Sequence, residues 1–312
     1  MKALVTGGAG FIGSNLVDAL IARGDTVTVV DDLSTGRRQN LDGALAAGAE
    51  LIELDVRNAS ALAGFAKQLE PDVVFHLAAQ IDVRRSVLDP AFDAAINVGG
   101  TANMLEAARQ AGCSRVVFVS TGGAIYGEGA GQQLPLGEET PVAPLAPYGQ
   151  SKFAGEGYLA LYERLYGISG ISLRLGNVYG PRQDPLGEAG VIAIFCGRLL
   201  AGKRPIVYGD GRQTRDYLYV GDVVAAILAA SGSDVSGPLN IGTGVETDVL
   251  ELARQLRELG DGADFEPELA PPRPGEVERI ALDASRAERE LGWRVEVSLS
   301  EGLKLTLDSL RT

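Results

Sequence analysis

The sequence predicts an α/β fold, a doubly wound parallel sheet with a smaller, discontinuous C-terminal lobe. Three observations carry that expectation. Short β-branched runs alternate with longer helical patterns up to about residue 175, and such alternation argues for a parallel sheet covered on both faces. A glycine-rich turn joins the first run to the first helical pattern. The alternation loosens at 177–215, where "NVYGPRQDPLGEAG" is rich in turn residues, and then tightens again.

In chain order the strands read as "KALVT", "TVTVV", "ELIEL", "DVVFHL", "RVVFVS" and "GISLRL". The segments between them carry helical spacing, as with Ile12, Leu16 and Leu20, or Leu105, Ala108 and Arg109. Beyond the loose stretch come a strand-like "DYLYV", a helix at 221–230 and a short strand, "PLNIG". A proline cluster, "APPRPGE" at 270–276, precedes a last helical stretch. No internal repeat or long linker interrupts the 312 residues, enough for one large or two closely joined domains. The expected division is residues 1–176, with roughly 216–242 returning to them, against 177–215 and 243–312.

"LVTGGAGFIGSNL" places Gly7, Gly10 and Gly13 between the first strand and the first helix. Glycine lets the backbone turn tightly and approach a pyrophosphate, which then rests on the helix N-terminus. The spacing is G-x-x-G-x-x-G rather than G-x-G-x-x-G, so the triplet alone says little. Its context says more: it follows a strand, opens a helix, and is answered by Asp31 at the end of the second strand. An acid there accepts from the adenosine ribose hydroxyls and repels a 2′-phosphate. A Rossmann-type domain that prefers NAD to NADP is expected. Arg37 and Arg38 lie close behind and could partly offset Asp31.

Bulk composition narrows the partners. Hydrophobic residues make up 46% and charged residues 22%, an ordinary globular composition. A formal charge of −13 argues against nucleic acid or anionic lipid held on a broad basic surface. An anion must then be bound locally, by backbone amides and a few placed arginines. Cys113 and Cys196 form no disulfide framework and read as small apolar packing residues. The longest apolar run, "VVAAILAA" at 223–230, is far short of the roughly 20 residues of a membrane helix. With no signal-type stretch after Met1, a cytoplasmic location is expected.

"PYGQSK" sets Tyr148 and Lys152 four apart, one above the other on a helix. Alone, the pair reads more readily as a tyrosine packed on a lysine stem at the surface. His76, the sole histidine, ends a buried-looking strand and reads as a satisfied core residue. No Cys/His/carboxylate cluster has metal-ligand spacing.

With these residues in hand, the chain resembles the extended short-chain dehydrogenase/reductase family, and within it the bacterial and archaeal UDP-galactose (UDP-glucose) 4-epimerases. The resemblance runs over nearly the whole chain, through "TGGAGFIG", "VVFHLAAQ", "INVGGTANMLEAA", "STGGAIYG", "PYGQSK", "GNVYGPRQDPLGEAGV", "YGDGRQTRDYLYVGDV", "NIGTG" and "PPRPGE". These motifs are less specific for which sugar is turned over. The resemblance implies that Tyr148 is the catalytic base and Lys152 its activator, which also holds the nicotinamide ribose. An ammonium near the phenol, together with the positive nicotinamide, is expected to lower the phenol from its ordinary value near about 10. Phe11 and Ile12 would join the glycines against the cofactor, with Asp55 and Val56 beside the adenine and Ala78 and Ala79 near the phosphates. Asn177, Arg215 and Arg273 match positions that contact the substrate diphosphate. Gly190, Val191 and Tyr208 match segments that enclose the uracil and its ribose, although Tyr208 also suits plain core packing.

Two further expectations follow from the resemblance. Many relatives carry a Ser or Thr hydroxyl where this chain has Gly122. Its loss should open space beside the sugar, with Thr121, Ser120 or a bound water taking over the proton relay and Gly122→Ser tolerated. Dehydratase relatives carry an Asp-Glu pair next, and here Gly123-Ala124 stands instead, which counts against a 4,6-dehydratase. The implied enzyme is an NAD-dependent UDP-hexose 4-epimerase working through a transient 4-keto sugar. It would be a homodimer paired through the helical stretches at about 91–112 and 148–166. UDP-glucuronate or UDP-N-acetylhexosamine as substrate, or a non-catalytic NAD-binding sensor, are the rival readings.

Overall fold

A computed structural model describes residues 1–128, 131–185, 190–260, 264–272 and 277–311. The first half alternates strand and helix. Its strands are β1 (Lys2–Thr6), β2 (Thr26–Asp31), β3 (Glu50–Glu53), β4 (Val73–His76), β5 (Arg115–Thr121) and β6 (Ser169–Leu175). Between them lie α1 (Phe11–Arg23), α2 (Asp42–Ala46), α3 (Ala59–Leu69), α4 (Val83–Leu88), α5 (Pro90–Ala94), α6 (Gly100–Gln110), α7 (Gly122–Ile125) and α8 (Pro147–Tyr166). Then follow β7 (Asn177–Tyr179), α9 (Val191–Leu200), β8 (Ile206–Tyr208), β9 (Thr214–Arg215), β10 (Tyr217–Tyr219), α10 (Val220–Ser231) and β11 (Gly237–Ile241). The chain closes with β12 (Thr247–Asp248), α11 (Val249–Leu259), β13 (Glu268–Ala270), α12 (Ser285–Leu291) and α13 (Leu299–Ser309).

Seven strands form one sheet in the order β11-β6-β5-β4-β1-β2-β3, and every pairing in it is parallel. Parallel strands covered on both faces read as continuous apolar runs, as β4 does with all four residues buried. One face is packed by Leu16, Leu20, Val223 and Ile227 from α1 and α10. The other is packed by Leu62, Met104, Leu105 and Leu159 from α3, α6 and α8. Strand order reverses at β1, which pairs with β2 on one side and β4 on the other. Open α/β sheets bind their ligands in the crevice at such a point, outside the carboxyl ends of the strands.

A separate apolar cluster joins Phe195, Cys196, Val207, Leu252, Phe265 and Leu307 from the later elements. The turn-rich reading of 177–215 misses α9, ten residues of helix within this cluster. "VIAIFCGRLL" is apolar nearly all round, so no amphipathic period marks it. The helical stretch before β5 is also more broken than its spacing suggests. It runs as α5, a π-helical turn over Ala95–Gly99 and then α6. Among the described residues, no helix is long and apolar enough to cross a membrane.

Candidate active site

The glycine loop closes against the end of β4. Gly7 has φ +72°, and a Cβ there would sit 2.6 Å from the Ala78 nitrogen. A Cβ on Gly13 would come within 2.1 Å of the Gly7 carbonyl oxygen. Neither position tolerates a side chain without moving backbone. Gly10 caps α1 without any side-chain hydrogen bond, and the first turn holds no acid. The amides of Phe11 and Ile12 therefore stand at a positive helix end whose own first turn supplies no carboxylate. The loop fits the diphosphate of a dinucleotide.

Asp31 ends β2 with its carboxylate buried. One oxygen accepts from the Ala9 amide and the other from the Leu33 amide, each at 2.9 Å. Burial pushes its pKa up, and the two amides oppose that. The same side chain thus ties the glycine loop to β2. Arg37 makes an ion pair with Asp184, which draws it away from offsetting Asp31. Asp55 is held by Arg57 through Nε at 2.8 Å and Nη2 at 2.5 Å. The Arg57 bonds hold the Asp55 carboxyl below its usual range. Val56 packs its side chain toward Gly100 at the start of α6. Ala78 donates its amide to Thr6 Oγ1 at 3.3 Å, and Ala79 follows it half-buried.

Across the crevice, α8 presents Tyr148 and Lys152. Lys152 is 3% exposed. Its Nζ donates to the Val119 carbonyl at 2.9 Å and lies 4.8 Å from the centre of the Phe118 ring. Burial brings its pKa down to about 8, against opposing pulls from Asp93 and Glu156. Thr121, the last residue of β5, stands beside the Tyr148 phenol. Burial raises the phenol's pKa, Asp93 raises it further, and Thr121 lowers it. The balance among protein groups is thus opposite to the expected lowering by Lys152, because that ammonium is directed at a β5 carbonyl and desolvation dominates.

Gly122 departs from expectation. A Cβ there would meet Leu282 Cδ1 at 2.4 Å and Cδ2 at 2.8 Å. Leu282 is fully buried in a cluster with Ile125, Tyr126, Leu136 and Ile280. No space opens at Gly122, so a serine there would overpack rather than restore a hydroxyl. Gly123 is less crowded, yet a Cβ there would still press on Asn177 Oδ1 at 3.2 Å and lie 3.9 Å from Thr121 Oγ1.

The remaining candidates approach from the later segments. Asn177 opens β7, and its amide donates to the Asp216 carbonyl at 2.7 Å, which brings neighbouring Arg215 alongside. Arg215 Nη1 donates to the Thr214 carbonyl at 2.8 Å. Gly190 caps α9 without a side-chain bond, and Val191 begins it. Tyr208 ends β8 half-buried, outside the apolar cluster that takes its neighbour Val207. Arg273 lies outside the described residues. Sequence reasoning missed Asp216, fully buried. Its carboxylate accepts from the Thr243 amide and hydroxyl, the Gly244 amide and the Leu282 amide, all within 3.0 Å. It binds the "NIGTG" loop to the segment that carries Leu282. An Asp inside "RDYLYV" was the available signal, since a buried carboxylate in a strand needs partners.

His76 is buried between Thr6 Oγ1 at 2.6 Å and Thr101 Oγ1 at 3.0 Å. Burial, with the charge of Lys152, holds its pKa down to about 3. Its folded value lies below the unfolded one, so its contribution to stability is present above about pH 6.5 and lost as pH falls toward 3. As the sole histidine, it gives one imidazole signal by NMR. That signal is expected to show no titration between about pH 8 and 5; a midpoint near 6.5 would contradict the assignment. Among the described residues, no group of His, Cys, Asp and Glu could hold a metal ion.

Residues 3–242 match the profile of the NAD dependent epimerase/dehydratase family. The chain belongs to that family. A UDP-glucose 4-epimerase of Mycolicibacterium smegmatis is 48% identical over 313 residues, covering 100% of this chain and 99% of that protein. The crystal structure of the UDP-glucose 4-epimerase of Thermotoga maritima with UDP-glucose superimposes with a TM-score of 0.96 at 46% identity, covering 100% of this chain and 99% of the other. That of Thermus thermophilus, in complex with NAD, gives 0.92 at 44% identity with the same coverage. This family membership agrees with the resemblance carried by the motifs, and with the Rossmann-type sheet.

Proposed function

We propose that this family member is an NAD-dependent UDP-hexose 4-epimerase that interconverts UDP-glucose and UDP-galactose. The observation that supports the reading is the placement of Tyr148 and a buried Lys152 one turn apart on α8, with Thr121 of β5 beside the phenol. In this reading Gly7, Gly10, Phe11, Ile12 and Gly13 hold the NAD diphosphate, Asp31 its ribose, and Asp55, Val56, Ala78 and Ala79 flank the rest. NAD, when bound, supplies the acceptor that takes the hydrogen of the sugar C4 and gives it back. Tyr148 takes the proton of the 4-hydroxyl and returns it, so the 4-keto sugar exists only in passing. Thr121 orients the phenol and favours its ionised form. Lys152, buried and cationic below about pH 8, adds positive charge on the same face. Asn177, Gly190, Val191, Tyr208, Arg215 and Arg273 are the proposed contacts to UDP. The division of labour assigns residues 1–176 and 216–242 to NAD, and 177–215 and 243–312 to the nucleotide sugar.

The test is the purified protein incubated with UDP-glucose, UDP-galactose, UDP-glucuronate and UDP-N-acetylglucosamine, with products read by NMR. Conversion between the first two supports the reading. Turnover of UDP-glucuronate alone would replace the substrate, and NAD held without any turnover would replace the enzyme with a sensor.

The same reading makes the protein a cytoplasmic homodimer. Phe153, Tyr158, Leu165 and Tyr166 on α8 are 39%, 39%, 60% and 51% exposed. So much aromatic and aliphatic surface on one helix suits pairing with a second copy as a four-helix bundle. Light scattering at micromolar concentration is expected to give the mass of two chains, and a single-chain mass would end the idea.

A further inference from the structure

Asp93 sits on α5, fully buried. One carboxylate oxygen accepts from Gln80 Nε2 and from Asn97 Nδ2, both at 2.9 Å. The other accepts from Ser151 Oγ at 2.6 Å. All three donors are neutral. Asn97 is placed by the π-helical turn Ala95–Gly99 and is locked in turn by the Gln80 backbone, whose amide and carbonyl both bond its side chain at 2.9 Å. Ser151 lies on α8 between Tyr148 and Lys152, one turn from the first and adjacent to the second. A buried carboxylate with neutral donors alone is costly unless a cation shares its surroundings, and Lys152 is the buried cation on the neighbouring turn.

We propose that Asp93 is a positioning residue for the Tyr148–Lys152 pair, holding their turn of α8 through Ser151 and supplying the fixed negative charge behind it. The inference rests on Tyr148 and Lys152 being the reacting pair. Charged and titratable groups reach them from several elements: Asp93 from α5, Glu156 from α8 itself, and neutral His76 from β4. Glu156 is already neutralised by Arg174 of β6, Nη2 to Oε2 at 2.6 Å, with both side chains buried. Among the described residues Asp93 has no such partner, so its charge acts outward. It pushes both Tyr148 and Lys152 toward their protonated forms.

Asp93→Asn separates charge from shape. The amide oxygen can keep Gln80 and Asn97, while the amide nitrogen donates to the Ser151 hydroxyl. Losing the negative charge eases ionisation of the phenol and weakens the ammonium, so both limbs of the pH profile of kcat are expected to move to lower pH by about half a unit or more. Ser151→Ala keeps the charge and removes the tether. It is expected to lower kcat by about tenfold while the limbs stay in place. An Asp93→Asn profile that superimposes on wild type overturns the proposal. Should Asp93→Asn fail to fold, wild-type kcat in Ser151→Ala overturns it. Tyr148→Phe is measured in parallel, because activity there would refute the reacting pair itself, whatever Asp93 does.

Discussion

Tyr148→Phe is expected to lower epimerisation by about 10²–10⁴-fold, the span of a general acid–base group, while NAD stays bound. The cofactor's proposed cradle is made of backbone, the Gly7–Ala78 contact and the open N-terminus of α1, and none of it touches the phenol. Only the hydroxyl beside Thr121 disappears. The expected signature is loss of kcat with retained cofactor absorbance and unchanged UDP affinity. Turnover above about half of wild type would remove Tyr148 from the proton path. The structure sharpens what the phenol needs. Burial and Asp93 both disfavour the phenolate, so ionisation among protein groups alone is unfavourable at neutral pH. In the proposed reaction a bound nicotinamide would supply positive charge that favours the phenolate, tying proton removal to a loaded site.

What the sequence made legible was local. A glycine loop between strand and helix, an acid at the end of the next strand, and an i, i+4 pair on a helix each span a few residues, and backbone geometry fixes their meaning. The strands followed for the same reason, since buried parallel strands are runs of apolar residues. The illegible parts are made by residues far apart in the chain. Ser151 and Asp93 are 58 residues apart and meet only because α5 packs on α8. Asp216 looks like an ordinary strand acid until the amides of Thr243, Gly244 and Leu282 converge on it. The environment of Gly122 was misjudged because motif matching compares side chains along one stretch. What fills that space is Leu282, brought from the other end of the chain by the bridge between Leu136 and Leu282. The π-helical turn at Ala95–Gly99 has no pattern of its own, and it is the feature that turns Asn97 toward Asp93.

Thr121→Val is expected to lower turnover by roughly tenfold or more, within the range for a single placed donor. The substitution keeps the β-branched shape that suits the end of β5 and removes only the hydroxyl beside Tyr148. Ser120 cannot take over, because its hydroxyl donates to Glu156 Oε1 at 2.6 Å inside the buried Arg174 network. Gly122 cannot be given a hydroxyl in compensation, because its Cβ direction is filled by Leu282. Gly122→Ser should therefore destabilise the protein by about 1–3 kcal/mol, as overpacking of a closed core does, and lower its thermal midpoint without raising turnover. The two variants separate the causes. If the proton runs through Thr121, Thr121→Val loses kcat at wild-type stability, and Gly122→Ser loses stability first. Wild-type turnover in Thr121→Val would leave Tyr148, or a water beside Gly123, to carry the proton unaided. Gly122→Ser at wild-type stability with raised turnover would instead restore the serine to the place that many relatives give it.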